Sequence, residues 1–173
     1  MEIFLVRHTE TDVPKGVCYG QSDVALKSSF PEEVEAIKEK LPIGSSKVYA
    51  SPLSRCALLA NALGLPVTFD DRLMELNFGD WEHQNWNDID SEVLNRWMGD
   101  FVNVVPPGGE SMGELSLRVL TWWREIHQLD QERIIVVTHA GPIRCLLAHV
   151  NNTPLISAFS DYKISFGQVI QLQ

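Results

Sequence analysis

Two histidines and two arginines follow short apolar segments of this chain. Arg7 and His8 come directly after the first segment, Arg55 follows the second within the stretch SPLSR, and His139 comes directly after a later one. The planar guanidinium group of arginine matches the geometry of a phosphate, and the backbone N–H groups at the start of a helix favour the same anion. These residue types therefore predict a positively charged pocket for a phosphorylated ligand.

The apolar segments that precede these residues are typical of β-strands, and the stretches between them have the periodicity of α-helices. Strands are predicted at residues 3–6, 47–50, 66–69, 133–138 and 168–172. Helices are predicted at residues 31–41, 53–63 and 112–129, with a shorter one over residues 93–98. Strands that alternate with helices indicate an α/β fold.

Several helix ends carry sequence signals. Ser111 and Glu114 are three residues apart and match a capping box, so the long helix is expected to begin after Ser111. Ser28 and Ser29 are candidate caps of the first helix, and Gly64 is placed to end the second. These signals support the predicted helices independently of their apolar periodicity.

The segment 134–137 is almost entirely apolar, as expected for a strand that is buried on both faces of a parallel sheet. In such sheets, ligands bind at the carboxyl ends of the strands. Arg7 and His8 occupy that position after the first strand, and His139 occupies it after residues 133–138. We therefore expect these side chains to meet at one edge of the sheet.

The composition bounds the organisation and the partners of the protein. With 173 residues, of which 45% are hydrophobic, the chain is long enough for one core, and we expect a single domain over residues 1–173. The net charge of −9 disfavours nucleic acid and anionic lipid surfaces as partners. An anionic ligand therefore needs a local cluster of positive side chains.

The sequence shows no sign of a membrane span or of export. No apolar stretch approaches the roughly 18 residues that a spanning helix needs, and no charged leader precedes the first apolar segment. Cys18, Cys56 and Cys145 form no CxxC pair and are predicted to be small buried side chains. These features predict a cytoplasmic protein, whose oligomeric state the sequence leaves open.

Four motifs occur in order along nearly the whole chain: LVRHTET, SPLSRC, LMELNFGDWE and VVTHAGPIR. Together they resemble the histidine phosphatase superfamily, which is also called the phosphoglycerate mutase-like family. The resemblance implies a three-layer α/β/α fold with a mostly parallel central sheet of about five or six strands. It also implies an enzyme that acts on a small-molecule phosphomonoester without a metal or any other cofactor.

The resemblance assigns roles to individual residues. It implies that His8 is the nucleophile and becomes phosphohistidine, while Arg7, Arg55 and His139 hold the phosphoryl oxygens together with it. Glu75 matches the position of the general acid, which protonates the leaving alcohol and then activates water. The implied catalytic set is thus His8, Glu75 and His139.

For other residues near the motifs, a structural role is the simpler interpretation. Glu75 could instead pair with Arg72, although the adjoining FGDWE match favours its catalytic role. Glu82, which ends that match, is predicted to hold its loop. The three histidines outside the motifs are predicted to have surface or packing roles: His83, His127 and His149.

The motifs also bear on the type of enzyme. Phosphoglycerate mutases of the superfamily commonly read RHGES-x-WN and HGN, whereas this chain reads RHTETDVP and HAGP. These departures favour the phosphatase branch. The alternatives are a broad sugar-phosphate phosphatase, a phosphoglycerate mutase, and a module that binds phosphate without turning it over.

Within that branch, the stretch CYGQSDVAL at residues 18–26 is similar to α-ribazole phosphatases of cobalamin assembly, and the PPGGES segment agrees. This similarity implies hydrolysis of α-ribazole 5′-phosphate to α-ribazole. Tyr19 or Trp81 could stack on the benzimidazole base of such a substrate. The candidate substrate contacts are Tyr19, Gly20, Gln21 and Ala140.

Overall fold

A five-stranded sheet forms the centre of the structure, a computed structural model that describes residues 1–42, 44 and 46–172. Its strands are β1 (Glu2–Arg7), β2 (Lys47–Ala50), β3 (Val67–Phe69), β4 (Arg133–Thr138) and β5 (Val169–Leu172). They lie in the order β3-β2-β4-β1-β5, in which β5 runs antiparallel to β1 and the other neighbours are parallel. The predicted, mostly parallel sheet is therefore confirmed.

Helices cover both faces of this sheet. In the described part of the chain the α-helices are α1 (Phe30–Lys38), α2 (Ser54–Ala62), α3 (Ser91–Gly99), α4 (Met112–Ile126), α5 (Ala140–Val150) and α6 (Ala158–Asp161). The first four confirm the predicted helices, with ends that differ by a few residues.

Two of those helices stop earlier than predicted. Helix α1 ends at Lys38 rather than at residue 41, and Pro42 disfavours a helical conformation in the residue before it. Helix α4 ends at Ile126 rather than at residue 129. There the Trp123 carbonyl accepts from Nδ1 of the His127 ring at 2.8 Å and from the N–H of the same residue at 3.3 Å.

The predicted caps are confirmed at one helix and wrong at another. Ser111 accepts a hydrogen bond from the N–H of Glu114, and the Glu114 carboxylate accepts one from the N–H of Ser111, so the capping box is present. Ser29 occupies the cap position of α1, but its hydroxyl donates to Glu33 at 2.7 Å instead of capping the backbone.

Side chains of the central strands alternate between two apolar cores. Ile134 and Val136 of β4 pack with α4 and α5 on one face of the sheet, whereas Ile135 and Val137 pack with α1 and α2 on the other. Successive side chains of a strand point to opposite faces of the sheet. All four are fully buried because both faces of this strand are covered. This arrangement confirms the three-layer α/β/α fold.

The residues that follow three adjacent parallel strands meet at one edge of the sheet, because β4 lies between β1 and β2. The N–H of His8 donates to the Thr138 carbonyl at 3.0 Å, and the N–H of Ser51 donates to the Val137 carbonyl at 3.0 Å. Strand pairing therefore continues up to these residues and places His8, Ser51 and His139 side by side. In α/β sheets this carboxyl edge is where ligands bind.

Candidate active site

His8 lies at the end of β1 with 1% of its surface exposed. Its Nδ1 is 2.8 Å from the main-chain carbonyl oxygen of Thr9. A carbonyl oxygen can only accept a hydrogen bond, so Nδ1 must carry the proton. Nε2 of the neutral ring is therefore unprotonated and can act as a nucleophile.

Burial and two neighbouring cations keep His8 neutral. Burial, followed by the charges of Arg55 and Arg7, lowers the pKa of His8 well below its usual value of 6.5, and the hydrogen bond to Thr9 opposes this shift only in part. The ring is thus unprotonated at Nε2 near neutral pH although positive charge surrounds it. A nucleophile that attacks an anionic phosphoryl group needs this combination.

Arg55 lies in the first turn of α2 and is completely buried. Its Nη1 donates to the Ser22 carbonyl at 2.9 Å, its Nη2 donates to the Gly20 carbonyl, and its Nε donates to Nδ1 of His139 at 3.2 Å. These bonds fix the guanidinium group and leave further N–H donors for a bound anion. The burial of Arg55 excludes a solvated surface role.

The ring of His139 lies beside that of His8, with 5.1 Å between the ring centres. Because Arg55 donates to Nδ1, the proton of the neutral His139 ring is on Nε2, which lies 2.8 Å from Oγ of Ser51. Burial, followed by the charge of Arg55 and more weakly that of Arg7, lowers the pKa of His139 well below 6.5. His139 is therefore a neutral ring that donates from Nε2.

The thiol of Cys56 also lies in this pocket, with its Sγ 3.4 Å from Nε2 of His139. Burial raises the pKa of the Cys56 thiol, so the thiol stays protonated and is a poor nucleophile. This state agrees with the predicted role of a small buried side chain. Cys18 and Cys145 are likewise buried and reduced.

Arg7 brings a second guanidinium group to the site. Its Nη1 donates to the Ile164 carbonyl at 2.6 Å, and its guanidinium carbon lies 3.8 Å from the centre of the Phe166 ring. The same ring is tilted against His8 at 5.5 Å between centres. Arg7 thus keeps unused donors beside His8, and Phe166 is a site residue that no sequence motif identified.

Glu75 lies in the loop between β3 and α3 and contacts the first turn of α5. Its Oε1 accepts hydrogen bonds from the N–H groups of Leu76 at 2.9 Å and Gly141 at 3.0 Å. The carboxylate therefore sits at the N-terminus of α5, where the helix dipole favours negative charge. Burial lowers the pKa of Arg7, and the negative charge of Glu75 opposes this shift, so the two side chains attract each other.

Gly141 is required by this contact, since a Cβ atom there would lie 2.1 Å from Oε1 of Glu75. The alternative partner of Glu75 is engaged elsewhere. Arg72 forms ion pairs of 2.7 Å with Asp70 and of 2.7 Å with Glu125. The Glu75 carboxylate is therefore not held in an ion pair with Arg72, and its charge acts on Arg7 and Arg144.

Arg118 of α4 holds the segment that carries Glu75. Its Nη1 donates to the carbonyls of Arg72 and Met74, both at 2.8 Å, and its Nη2 donates to the Glu75 carbonyl at 2.9 Å. Glu110 fixes the guanidinium group through contacts of 2.5 and 3.0 Å. Sequence reasoning missed this clamp, although Glu110 lies in the PPGGES segment, because the acceptors are main-chain carbonyls.

Glu82 holds its own loop through the N–H of Phe78 at 3.3 Å, as predicted, and also holds the loop at residues 20–22. Its carboxylate accepts hydrogen bonds from the N–H groups of Gln21 at 2.9 Å and Ser22 at 2.7 Å. Burial raises the pKa of Glu82, but the hydrogen bonds from the Ser22 hydroxyl and from the backbone N–H groups outweigh it and leave the pKa below its usual value. The loop in turn supplies the Gly20 and Ser22 carbonyls that hold Arg55.

The candidate substrate contacts surround these groups. The Gln21 side chain donates to the Glu75 carbonyl at 3.1 Å, the Gly20 carbonyl accepts from Arg55, and Ala140 is the first residue of α5. The Tyr19 ring lies 5.4 Å from the Arg55 guanidinium carbon. Contact between these four residues and a substrate stays a prediction.

The interpretation of Trp81 as a stacking partner of a substrate base is wrong. Its ring is 4% exposed and packs edge-on against Trp86 and Trp97 in the core. A ring that is enclosed in this way has no free face to offer a ligand. The apolar surface of Trp81 is instead used to stabilise the loop that follows Glu75.

The histidines outside the motifs lie on the surface, as predicted: His83, His127 and His149. Across residues 1–42, 44 and 46–172, no group of His, Cys, Asp and Glu side chains is arranged to hold a metal ion. In the same part of the chain, no helix is long and apolar enough to cross a membrane.

Comparisons with known proteins agree with the motifs. The family model of the histidine phosphatase superfamily (branch 1) matches residues 3–172. A relative from Salmonella paratyphi C, named as the probable phosphoglycerate mutase GpmB, is 32% identical over 165 residues, which cover 89% of this chain and 76% of that protein.

Solved structures share the whole fold. The α-ribazole phosphatase from Shigella flexneri has a TM-score of 0.90 at 25% identity, covering 100% of this chain and 90% of its own. The mycobacterial glucosyl-3-phosphoglycerate phosphatase in complex with VO3 has a TM-score of 0.87 at 26% identity, covering 99% and 92%. These similarities confirm the predicted phosphoglycerate mutase-like fold.

Proposed function

The chain belongs to branch 1 of the histidine phosphatase superfamily, and from that membership we propose that it is a phosphomonoesterase that works through a phosphohistidine at His8. Its similarity to phosphatases and to a phosphoglycerate mutase supports phosphoryl transfer from a small-molecule substrate. The hydrogen bond from Nδ1 of His8 to the Thr9 carbonyl carries the proposal, because it leaves Nε2 free for attack.

In the first step, Nε2 of His8 attacks phosphorus, and the bond between phosphorus and the ester oxygen breaks. Arg7, Arg55 and His139 hold the non-bridging oxygens and balance their charge in the transition state. Glu75, in its protonated form, gives its proton to the departing oxygen, so a neutral alcohol leaves. The products of this step are the alcohol and phosphohistidine.

In the second step, a water molecule attacks the phosphorus of phosphohistidine on the side opposite Nε2. Glu75, now a carboxylate, takes a proton from this water, and the bond between nitrogen and phosphorus breaks. Phosphate leaves, and His8 and Glu75 return to their initial states. The N–H groups of Leu76 and Gly141 hold the carboxylate for both proton transfers.

The proposed substrate is α-ribazole 5′-phosphate, which would be hydrolysed to α-ribazole in cobalamin assembly. The stretch CYGQSDVAL and the similarity to the Shigella flexneri α-ribazole phosphatase support this choice. The stretch forms the loop whose Gly20 and Ser22 carbonyls hold Arg55, so the resemblance falls on a wall of the site. Four residues are the proposed substrate contacts: Tyr19, Gly20, Gln21 and Ala140.

Two other activities have support of their own. The relative named as a phosphoglycerate mutase, at 32% identity, favours a mutase. The similarity to glucosyl-3-phosphoglycerate phosphatase favours a phosphatase of sugar phosphates. The chain departs from the mutase motifs at Thr9 and Ala140, which stand where those motifs have glycine. These departures favour hydrolysis.

Product analysis separates these activities. The purified protein is incubated with α-ribazole 5′-phosphate, with 3-phosphoglycerate and with a series of sugar phosphates, and both free phosphate and the organic product are measured. We expect one phosphate per α-ribazole formed, and the highest kcat/KM with α-ribazole 5′-phosphate. We also expect 3-phosphoglycerate to release phosphate slowly rather than to isomerise.

Three results would contradict parts of the proposal. Conversion of 3-phosphoglycerate to its isomer without release of phosphate would identify a mutase. Faster hydrolysis of a sugar phosphate than of α-ribazole 5′-phosphate would overturn the substrate but retain the chemistry. Tight binding of these esters without any turnover would identify a phosphate-binding module.

A further inference from the structure

Glu75 lies in irregular backbone that follows a single 3₁₀ turn at Asp71–Leu73. Side chains on loops are placed less precisely than those on helices and strands, whereas proton transfer needs heavy atoms about 2.6–3.2 Å apart. The N–H groups of Leu76 and Gly141 fix the carboxylate end of Glu75. A residue that fixes its main chain therefore bears directly on the proposed protonation of the leaving alcohol.

One guanidinium group holds most of this segment. The four successive carbonyls of residues 72–75 all accept hydrogen bonds from side chains. Arg118 of α4 satisfies three of them, since its Nη1 donates to the carbonyls of Arg72 and Met74 and its Nη2 donates to that of Glu75. It thus gives this loop the hydrogen bonds that a neighbouring strand gives to a strand.

The guanidinium group of Arg118 is itself held in place. Both carboxylate oxygens of Glu110 accept from it, at 2.5 and 3.0 Å. Glu110 also accepts from the N–H of Asn77 at 3.0 Å, and its own N–H donates to the Asn77 carbonyl at 2.9 Å. The side chains of Arg118 and Glu110 are 19% and 17% exposed, so solvent screens this ion pair less than a surface pair. The pair therefore forms a firm support for the residues on both sides of Glu75.

The shape of arginine explains how one side chain makes all of these contacts. Its planar group carries five N–H donors in fixed directions, whereas lysine carries three on a rotating ammonium group. All five donors of Arg118 are engaged: three on main-chain carbonyls and two on Glu110. Arg118 therefore has no donor left for a substrate.

We propose that Arg118 is a positioning residue for the proton donor. It fixes the main chain of Glu75, while the N-terminus of α5 fixes the carboxylate, so that the carboxyl group stays beside the departing oxygen. This inference rests on the proposed phosphatase function. Because Arg118 acts through Glu75, only the reactions in which the leaving group needs a proton depend on it.

Two esters with different leaving groups test this role. Ethanol leaves only when its oxygen is protonated, whereas p-nitrophenolate leaves without a proton. In Arg118→Gln, formation of phosphohistidine from ethyl phosphate should slow by about 10–100-fold, since a displacement of about 1 Å can lower a rate by 10²-fold. With p-nitrophenyl phosphate, the burst of alcohol in the first turnover should slow by less than about 3-fold. An equal loss with both esters would show a general structural defect and overturn the proposal.

A double-mutant cycle tests whether Arg118 acts through Glu75. In the Glu75→Gln background the proton donor is already absent, so adding Arg118→Gln should slow the reaction of ethyl phosphate by less than about a further 3-fold. Losses that multiply in the double variant would mean that Arg118 acts independently of Glu75. That result would contradict the proposed role.

Two further variants serve as controls. Arg124 lies on the same helix and is exposed, so Arg124→Gln should react with both esters at wild-type rates. Arg118→Lys keeps the positive charge but loses the planar group, and its rate with ethyl phosphate should stay within about 3-fold of that of Arg118→Gln. Full recovery in Arg118→Lys would show that charge alone suffices, and the proposed positioning by hydrogen bonds would be wrong.

Glu110→Gln keeps the proposal testable if Arg118→Gln fails to fold. Glutamine retains one acceptor oxygen but loses the charge, so the guanidinium group is held less firmly. We expect a selective loss of about 3–10-fold with ethyl phosphate, in a protein whose folding is checked by urea unfolding. Wild-type kinetics in Glu110→Gln, or an equal loss with both esters, would count against the support.

The same measurements separate a failure of this inference from a failure of the proposed function. If Glu75→Gln reacts with ethyl phosphate at the wild-type rate, the proposed role of Glu75 fails, and the role of Arg118 fails with it. If Glu75→Gln shows the selective loss but Arg118→Gln and Glu110→Gln do not, the proposed function stands and the positioning role of Arg118 is refuted.

Discussion

The chemistry proposed for His8 depends on which ring nitrogen carries the proton in His8 and in His139. The Thr9 carbonyl holds the proton of His8 on Nδ1, whereas Arg55 occupies Nδ1 of His139 and leaves the proton on Nε2. The two rings are therefore held in opposite tautomers within one pocket. One ring presents a lone pair to a phosphoryl group, whereas the other directs its Nε2 proton at Oγ of Ser51.

Glu75→Gln tests the proton donor at the scale of a single residue. Glutamine keeps an acceptor for the N–H of Gly141 but cannot donate an acidic proton. Formation of phosphohistidine from ethyl phosphate should slow by about 10²–10⁴-fold. The same step should slow much less with p-nitrophenyl phosphate, whose leaving group needs no proton.

The burst of alcohol released in the first turnover measures the formation of phosphohistidine, before Glu75 is needed as a base for water. The wild type with both esters is the control. Equal losses with the two esters would show that Glu75 positions the substrate rather than protonating it.

The reactive side chains could be predicted from the sequence, but their states could not. The motifs pointed to five side chains that the structure brings to one edge of the sheet. The acceptor of the His8 proton is a main-chain carbonyl, which every residue carries, so residue type gives no signal for it. Phe166 was missed because an aromatic residue in a loop is usually part of the packing, whereas here it covers Arg7 and His8.

At the scale of elements, the first turn of α5 sets the position of Glu75, the proposed proton donor. Gly141→Ala places a methyl group where Oε1 of Glu75 lies, 2.1 Å from the new Cβ atom. The carboxylate must move, so turnover of ethyl phosphate should fall by at least about 100-fold. The rate of the burst with p-nitrophenyl phosphate should fall less, because its leaving group needs no proton.

Gly99→Ala is the matched control for this variant, because a Cβ atom at Gly99 of α3 meets nothing within 4 Å. Its kinetics should equal those of the wild type. Unfolding in urea checks that Gly141→Ala still folds. A Gly141→Ala protein that is folded and fully active on ethyl phosphate would contradict the proposed contact.

The same helix shows where prediction from periodicity ends. Helices α3 and α4 were predicted because each has one apolar face, whereas no bounds were predicted for α5, which reads AGPIRCLLAHV and is buried along most of its length. A helix that is apolar on nearly all sides has no amphipathic stripe to reveal its period.

At the scale of the whole molecule, one cluster of aromatic side chains could not be predicted: Phe78, Trp86, Trp97, Phe101 and Phe159. Its rings come from residues 78–101 and from residue 159, and no local pattern in the sequence connects them. They meet because the loop after β3 and helices α3 and α6 pack over the same face of the sheet. Trp81, which was predicted to stack on a substrate base, instead packs within this cluster.

Two buried neutral histidines make the stability of the whole molecule depend on pH. Burial and nearby arginines hold the pKa values of His8 and His139 well below 6.5, the value to which each returns when the chain unfolds. Below pH 6.5 the unfolded chain therefore binds protons that the folded protein does not. The free energy of unfolding should therefore decrease as the pH is lowered below 6.5, by up to about 1.4 kcal/mol per pH unit for each histidine.

Urea unfolding between about pH 5 and pH 7.5 measures this slope. Above pH 6.5 both states are neutral at these rings, so their contribution should stay constant. His139→Gln should reduce the slope below pH 6.5 by up to about 1.4 kcal/mol per unit, whereas His127→Gln, which changes an exposed ring, should not. An unchanged slope in His139→Gln would contradict the low pKa of that residue.

The central claim, that His8 forms phosphohistidine, is tested most directly by trapping the intermediate. The protein is mixed with its best ester, quenched in alkali within the first turnover, and its peptides are analysed by mass spectrometry. We predict one phosphoryl group on Nε2 of His8, no labelling of His8→Ala, and a fall in kcat of at least about 10³-fold in that variant. A phosphoryl group on another residue, or normal turnover by His8→Ala, would contradict the account.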